Sequence, residues 1–104
     1  MHKVMLVVRV LEEGETVAGY AREFNLPFVP TVGMRFMQGS STTMWETQND
    51  TLYPAVQRVI YDLDEERIVC LFTIEEKLAA SFWTELKLHV PGTICAEMRY
   101  FDGE

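Results

Sequence analysis

The segment from Lys3 to Leu11, KVMLVVRVL, restricts the fold more than any other part of the chain. Val4, Leu6, Val8 and Val10 alternate onto one side of an extended backbone, while Met5 and Val7 occupy the other. Its β-branched residues favour a pleated conformation. A strand apolar on both sides has to be covered on both sides, so the segment predicts a central strand. After the acidic turn EEGE, Val17 to Leu26 places Ala18, Tyr20, Phe24 and Leu26 on one side together with Arg22. This predicts a second strand, antiparallel to the first, with a short helix as the alternative because Gly19 and Asn25 interrupt the run.

An equally clear local signal is PAVQRVIYDLDEERIVCLFT, in which two alternating β-branched runs flank an acidic turn at Asp62 to Glu66. It predicts a hairpin. Between these two regions Pro27 and Pro30 lack amide donors, so the chain is expected to leave the sheet there and re-enter near Gly33, with Met34 to Met37 as a short third strand. Residues 39–53 show neither helical nor strand periodicity and read as a long loop, a kind of connection that is usually functional or mobile. Beyond the hairpin, Thr73 and Glu76 fit a capping box, and Leu78, Phe82 and Leu86 recur every four residues with Ala79 and Trp83 beside them. That pattern predicts a helix over residues 74–84, with strand-like chain on both sides of Pro91-Gly92.

Strands followed by one helix, without βαβ alternation, predict an antiparallel sheet. The expected fold is mainly β, a β-rich α+β arrangement: a small, strongly curled antiparallel sheet or a partly open barrel, with the helix near residues 74–84 closing one opening. In architecture alone, and without a shared motif, this layout resembles that of small SH3-like barrels. The length of 104 residues suits a single domain over residues 1–104. With 48% hydrophobic and 24% charged residues the composition is that of an ordinary globular protein. No apolar run approaches the ~20 residues of a membrane span, so no membrane partner is expected.

Sixteen acidic against nine basic residues give a net charge of -7, and the basic residues never cluster. A nucleic-acid partner is therefore not expected, since phosphates call for a basic footprint. MHKVMLVVRVLEEG has the outline of a signal peptide, but Arg9 interrupts its apolar run and no small-residue cleavage site follows. The expected location is cytoplasmic. Cys70 and Cys95 stand apart without metal-ligand spacing and read as buried, reduced thiols. Without secretion, the acceptor triplet Asn49-Asp50-Thr51 carries no meaning.

Candidate functional residues are few. His2 and His89 have no neighbouring Cys or His and do not form a metal set. The carboxylates of DLDEER lack the glycine and the distant Glu of a calcium loop and read as a solvated turn that discourages edge pairing. GSSTTMW has neither the lysine of a phosphate loop nor a serine elbow. What stands out is the apolar content around the long loop: Met37, Met44, Trp45 and Tyr53 are the candidate ligand- or partner-binding residues. Alternation in MRFM makes Met37 the hardest of them to bury. Trp45 is expected to be partly accessible, with Trp83 shielded beneath the helix.

These features favour a non-enzymatic binding or interaction module, a homodimer, that uses loop 39–53 to take a small molecule or a protein partner, with no cofactor. The alternative is a small enzyme with a carboxylate or His89 as acid or base beside that loop, Glu46 and Asp50 being its nearest carboxylates. A third class, a subunit docking by its acidic surface onto a basic partner, rests on net charge alone.

Overall fold

The computed structural model describes residues 1–37, 44–79, 82–87 and 96–101. Strand β1 (His2–Glu12) lies at the centre of one five-stranded sheet, as its two-sided apolar pattern requires. It pairs antiparallel with β2 (Glu15–Leu26) through a two-residue turn at Glu13 and Gly14. Both turn residues have positive φ, 53° and 81°. That backbone matches the twist of the flanking strands and favours glycine. On its other side β1 pairs with β4 (Arg67–Ile74), which forms the expected hairpin with β3 (Arg58–Asp62). A two-residue strand, β5 (Thr84–Glu85), attaches to β2, and the order across the sheet is β3-β4-β1-β2-β5.

The expected all-antiparallel sheet is corrected at one seam, because β1 and β4 run parallel from the Val4–Ile68 pair to Val10–Ile74. A parallel pair needs a crossover of a dozen or more residues, which is commonly a helix but has only to be long enough. Here residues 27–57 supply it, with no helix among those described, so the absence of βαβ alternation was a poor guide. Nor does the sheet close: β3 and β5 are its two edges, which replaces the curled sheet or partly open barrel with an open, mixed one.

On one face Val4, Leu6, Val8, Val10, Tyr20, Cys70 and Phe72 are buried beneath Met44, Trp45, Val56, Leu78 and Trp83. Among the described residues of 74–84, the expected helix is absent. β4 continues to Ile74, Leu78 forms a bridge with Thr47, and the chain extends again at Thr84–Glu85. Leu78, Phe82 and Trp83 reach the core from chain that is not helical, so the four-residue spacing of Leu78 and Phe82 imitated a helical stripe. Thr73 caps nothing; its hydroxyl donates to Gln57 Oε1 and accepts from Arg9 Nε. The short strand expected at Met34 to Met37 reduces to a single bridge, Arg35 to Ala55, flanked by backbone bonds between Gly33 or Met34 and Val56.

On the opposite face Met5, Val7, Ala21, Val69 and Leu71 pack beneath Phe101, Met98, Tyr100 and Leu86. The strand expected after Pro91-Gly92 is instead a 3₁₀ helix, Ala96–Phe101, whose three-residue repeat aligns Met98 with Phe101 against the sheet. Residues 88–95, with the rest of that expectation, lie outside the described residues. Among the described residues, no helix is long and apolar enough to cross a membrane.

Candidate functional site

Loop residues 44–54 divide into an inner anchor and an outer turn. The anchor is Met44-Trp45: both are buried, Trp45 with no exposed surface. A buried indole N–H needs an acceptor. That of Trp45 donates to the Phe36 carbonyl at 2.8 Å, and that of Trp83 donates to the Met44 carbonyl at 2.6 Å. The two indoles lie 5.2 Å apart, with Phe72 4.9 Å from Trp45 and Phe82 4.9 Å from Trp83. The expectation of a partly accessible Trp45 is therefore overturned, while Trp83 is shielded as expected but beneath loop chain instead of a helix.

The outer turn, Thr47-Gln48-Asn49-Asp50, is closed by a bond from the Thr47 amide to the Asp50 carbonyl at 2.7 Å and by the Glu46–Thr51 bridge. Asn and Asp suit such a turn because their side chains bond nearby backbone. Buried Thr47 organises it: its Oγ1 accepts from the amides of Asp50 at 2.9 Å and Asn49 at 3.3 Å. The single hydroxyl hydrogen serves either the Asp50 carbonyl at 2.8 Å or Glu76 Oε2 at 2.9 Å. Glu76 is delivered by the strap after β4, which is pinned by buried Leu78 and by the Ala79 amide donating to the Glu46 carbonyl.

Two clefts flank Glu76. One, of about 580 Å³, lies between Thr47, Gln48 and Asn49 on one side and Lys77, Leu78 and Ala79 on the other. The second, of about 380 Å³, is lined by Leu52, Tyr53 and Pro54 facing Ile74 and Glu75. Both fall within the size range of small-ligand pockets. Glu75, Glu76 and Lys77 are the charged groups that line them.

Of the four candidate binding residues, Met37, Met44, Trp45 and Tyr53, Tyr53 alone lines a described cleft, with 48% of its surface exposed. Met37 is 76% exposed, as its place in MRFM predicted, but lines neither cleft. Met44 and Trp45 are core. Asp50 closes the turn, its Oδ1 accepting from the Thr51 amide, while Glu46 is half-buried beside the strap. His89, Cys95 and the hydroxyl run at 40–43 lie outside the described residues. Sequence reasoning missed Thr47, Glu75 and Glu76, because reading Thr73 and Glu76 as a capping box directed that carboxylate to a helix that does not form. The usable signal was TQND, a turn sequence following a buried tryptophan.

Two other titratable groups belong to the core. Burial pushes the Cys70 thiol up to about 11, leaving it protonated and unreactive at neutral pH. Burial, with Glu85 nearby, also raises the Tyr20 phenol. Among the described residues, no group of three or more His, Cys, Asp or Glu side chains is placed to hold a metal ion. No family model, curated protein or solved structure matches this chain, so the functional reading rests on its own geometry.

Proposed function

We propose that this protein is a non-enzymatic binding module whose ligand is a small organic cation, or the basic side chain of a peptide, held in the clefts on either side of Glu76. One observation carries the reading: a carboxylate within hydrogen-bond reach of a buried threonine hydroxyl, at 2.9 Å, stands between two ligand-sized clefts. When the Thr47 hydroxyl donates to Glu76 it orients the carboxylate, which lowers the entropy lost when a cation is bound. Glu75 adds a second negative charge, and the half-exposed ring of Tyr53 offers a face on which a cation is attracted. The reading thus moves from the apolar side chains of loop 39–53 to the polar outer surface of the same loop. A cytoplasmic setting belongs to this proposal, in keeping with a buried free thiol at Cys70.

The test is an NMR titration with lysine and arginine methyl esters, set against neutral and anionic compounds of similar size. Amide shifts at Gln48, Asn49, Tyr53 and Glu76 are expected with the cations alone. Glu76→Gln, which keeps the shape and removes the charge, should weaken binding about tenfold or more without altering the circular dichroism spectrum. Shifts of equal size with the neutral compounds, or none with any probe, would remove the basis of the proposal.

A further inference from the structure

The two edges of the sheet differ. β2 is guarded by β5 at Tyr20 and Ala21, by the Leu86 amide bonded to the Gly19 carbonyl, and by Arg22, which donates to the Phe82 carbonyl. On the other side, residues 33–35 pair with the chain only as far as Val56 and then leave it. β3 continues from Arg58 to Asp62 with β4 as its single partner among the described residues. Natural edges are blunted by lysine, proline or a bulge. The centre of this one, Val59-Ile60-Tyr61, has none of these, and Tyr61 is 56% exposed.

We infer that β3 is the dimerisation edge and that its occupant is the β3 strand of a second copy, paired antiparallel about a two-fold axis through Ile60. The five residues are self-complementary in that register. Arg58 of each copy falls opposite Asp62 of the other, Val59 opposite Tyr61, and Ile60 opposite itself. Opposite charges and aromatic with β-branched side chains are both favourable cross-strand pairs. A shift of one residue breaks this: Asp62 then faces Val59, and both charge pairs are lost. Each hairpin tip would carry Leu63, 80% exposed, to the place where residues 33–35 leave the strand of the other copy, and Val32 and Met37 beside that segment are 64% and 76% exposed. The result is a continuous ten-stranded sheet with an isologous interface. This inference does not depend on the cleft proposal, and it assigns exposed Met37 to the interface.

Sedimentation across micromolar to millimolar concentration is expected to show a reversible dimer. Ile60→Lys places two ammonium groups at the axis and should raise the dissociation constant about tenfold or more. A charge exchange tests the register in variants whose circular dichroism matches wild type, a control needed because Asp62 also accepts from Tyr100 and from the amides of Asp64 and Glu65: Arg58→Asp alone and Asp62→Arg alone each set like charges opposite one another and should be weakened. Mixing the two variants restores both pairs and should yield a heterodimer tighter than either homodimer. Ile60→Cys in a Cys95→Ser background should crosslink across the axis, while Cys70, a buried protonated thiol, stays unlabelled. A strictly monomeric wild type, a dimer indifferent to Ile60→Lys, or a mixture no tighter than its components would each overturn the inference.

Discussion

The two faces of the sheet are built from alternate residues of the same strands, yet they are covered by different means. Over Val4, Leu6, Val8 and Val10 the cover is irregular loop, and its rings, Phe36, Trp45, Trp83 and Phe82, join Phe72 and Phe24 of the sheet in one run of contacts at centroid separations of 4.9 to 6.4 Å. Loop carbonyls satisfy the indole N–H groups, so the rings also fix the loop. Over Met5, Val7, Val69 and Leu71 the cover includes a short 3₁₀ helix held down at its end by polar groups. Tyr100 donates to Asp62 Oδ2 and accepts from Arg67 at 3.2 Å, and Arg67 also reaches Glu23 at 3.1 Å. Irregular backbone can thus roof a core when its side chains are large and satisfied. A regular but short element needs a tether.

The difference is most sharply broken at Trp45. Trp45→Ala opens a cavity beneath the loop and strands the Phe36 carbonyl, and should cost about 3 to 5 kcal/mol in urea unfolding, with the whole sheet lost cooperatively. On the other face Tyr100→Phe removes one hydroxyl and should cost about 1 to 2 kcal/mol. Its signature is local: hydrogen exchange should quicken over residues 96–101 while the amides of β1 stay protected.

That tether also depends on pH. The Tyr100 hydroxyl, then the amides of Glu65 and Asp64 and the charge of Arg67, hold the Asp62 carboxyl below its ordinary 3.8. A depressed carboxylate stabilises the fold above that ordinary value, and its contribution fades as pH falls through the folded pKa. Tyr100 itself is raised above 10.0 by burial and by Asp62, so its contribution is present below that value and lost as pH climbs through the folded pKa. Unfolding midpoints of Tyr100→Phe should therefore vary less than those of wild type at both pH extremes, and parallel profiles would show that the tether is not the titrating element. An effect no larger than that of Tyr100→Phe is expected at a site belonging to neither cover. Gly14 has a φ of 81° and open space around its Cα, so Gly14→Ala should cost about 1 to 2 kcal/mol from backbone strain alone, with unchanged exchange in both covers.

These contrasts explain what was readable beforehand. β1, β2 and the β3–β4 hairpin were legible because two-residue alternation and turn residues act over short stretches of chain. The parallel seam was not, since nothing local in Arg67 to Ile74 records which strand lies beside it. Leu78, Phe82 and Trp83 misled because a core accepts large side chains equally well from a helix or from irregular chain. Met37 was legible as exposed, since two apolar residues on opposite sides of a short segment cannot both face one core. The Thr47–Glu76 contact spans 29 residues, and only the fold of both segments brings it about.

The parallel seam between β1 and β4 has a consequence for how the chain is made. β1 is complete at Glu12, but its second neighbour is not synthesised until Arg67 to Ile74, after the crossover and β3. On the ribosome, this strand, apolar on both faces, therefore waits beside β2 with one edge unpaired while residues 27–66 are translated. Long-range pairings of this kind form late and slowly, and an unpaired apolar strand is where nascent chains associate wrongly. The yield of folded protein should then respond to elongation rate and to chaperones more than its final stability would indicate.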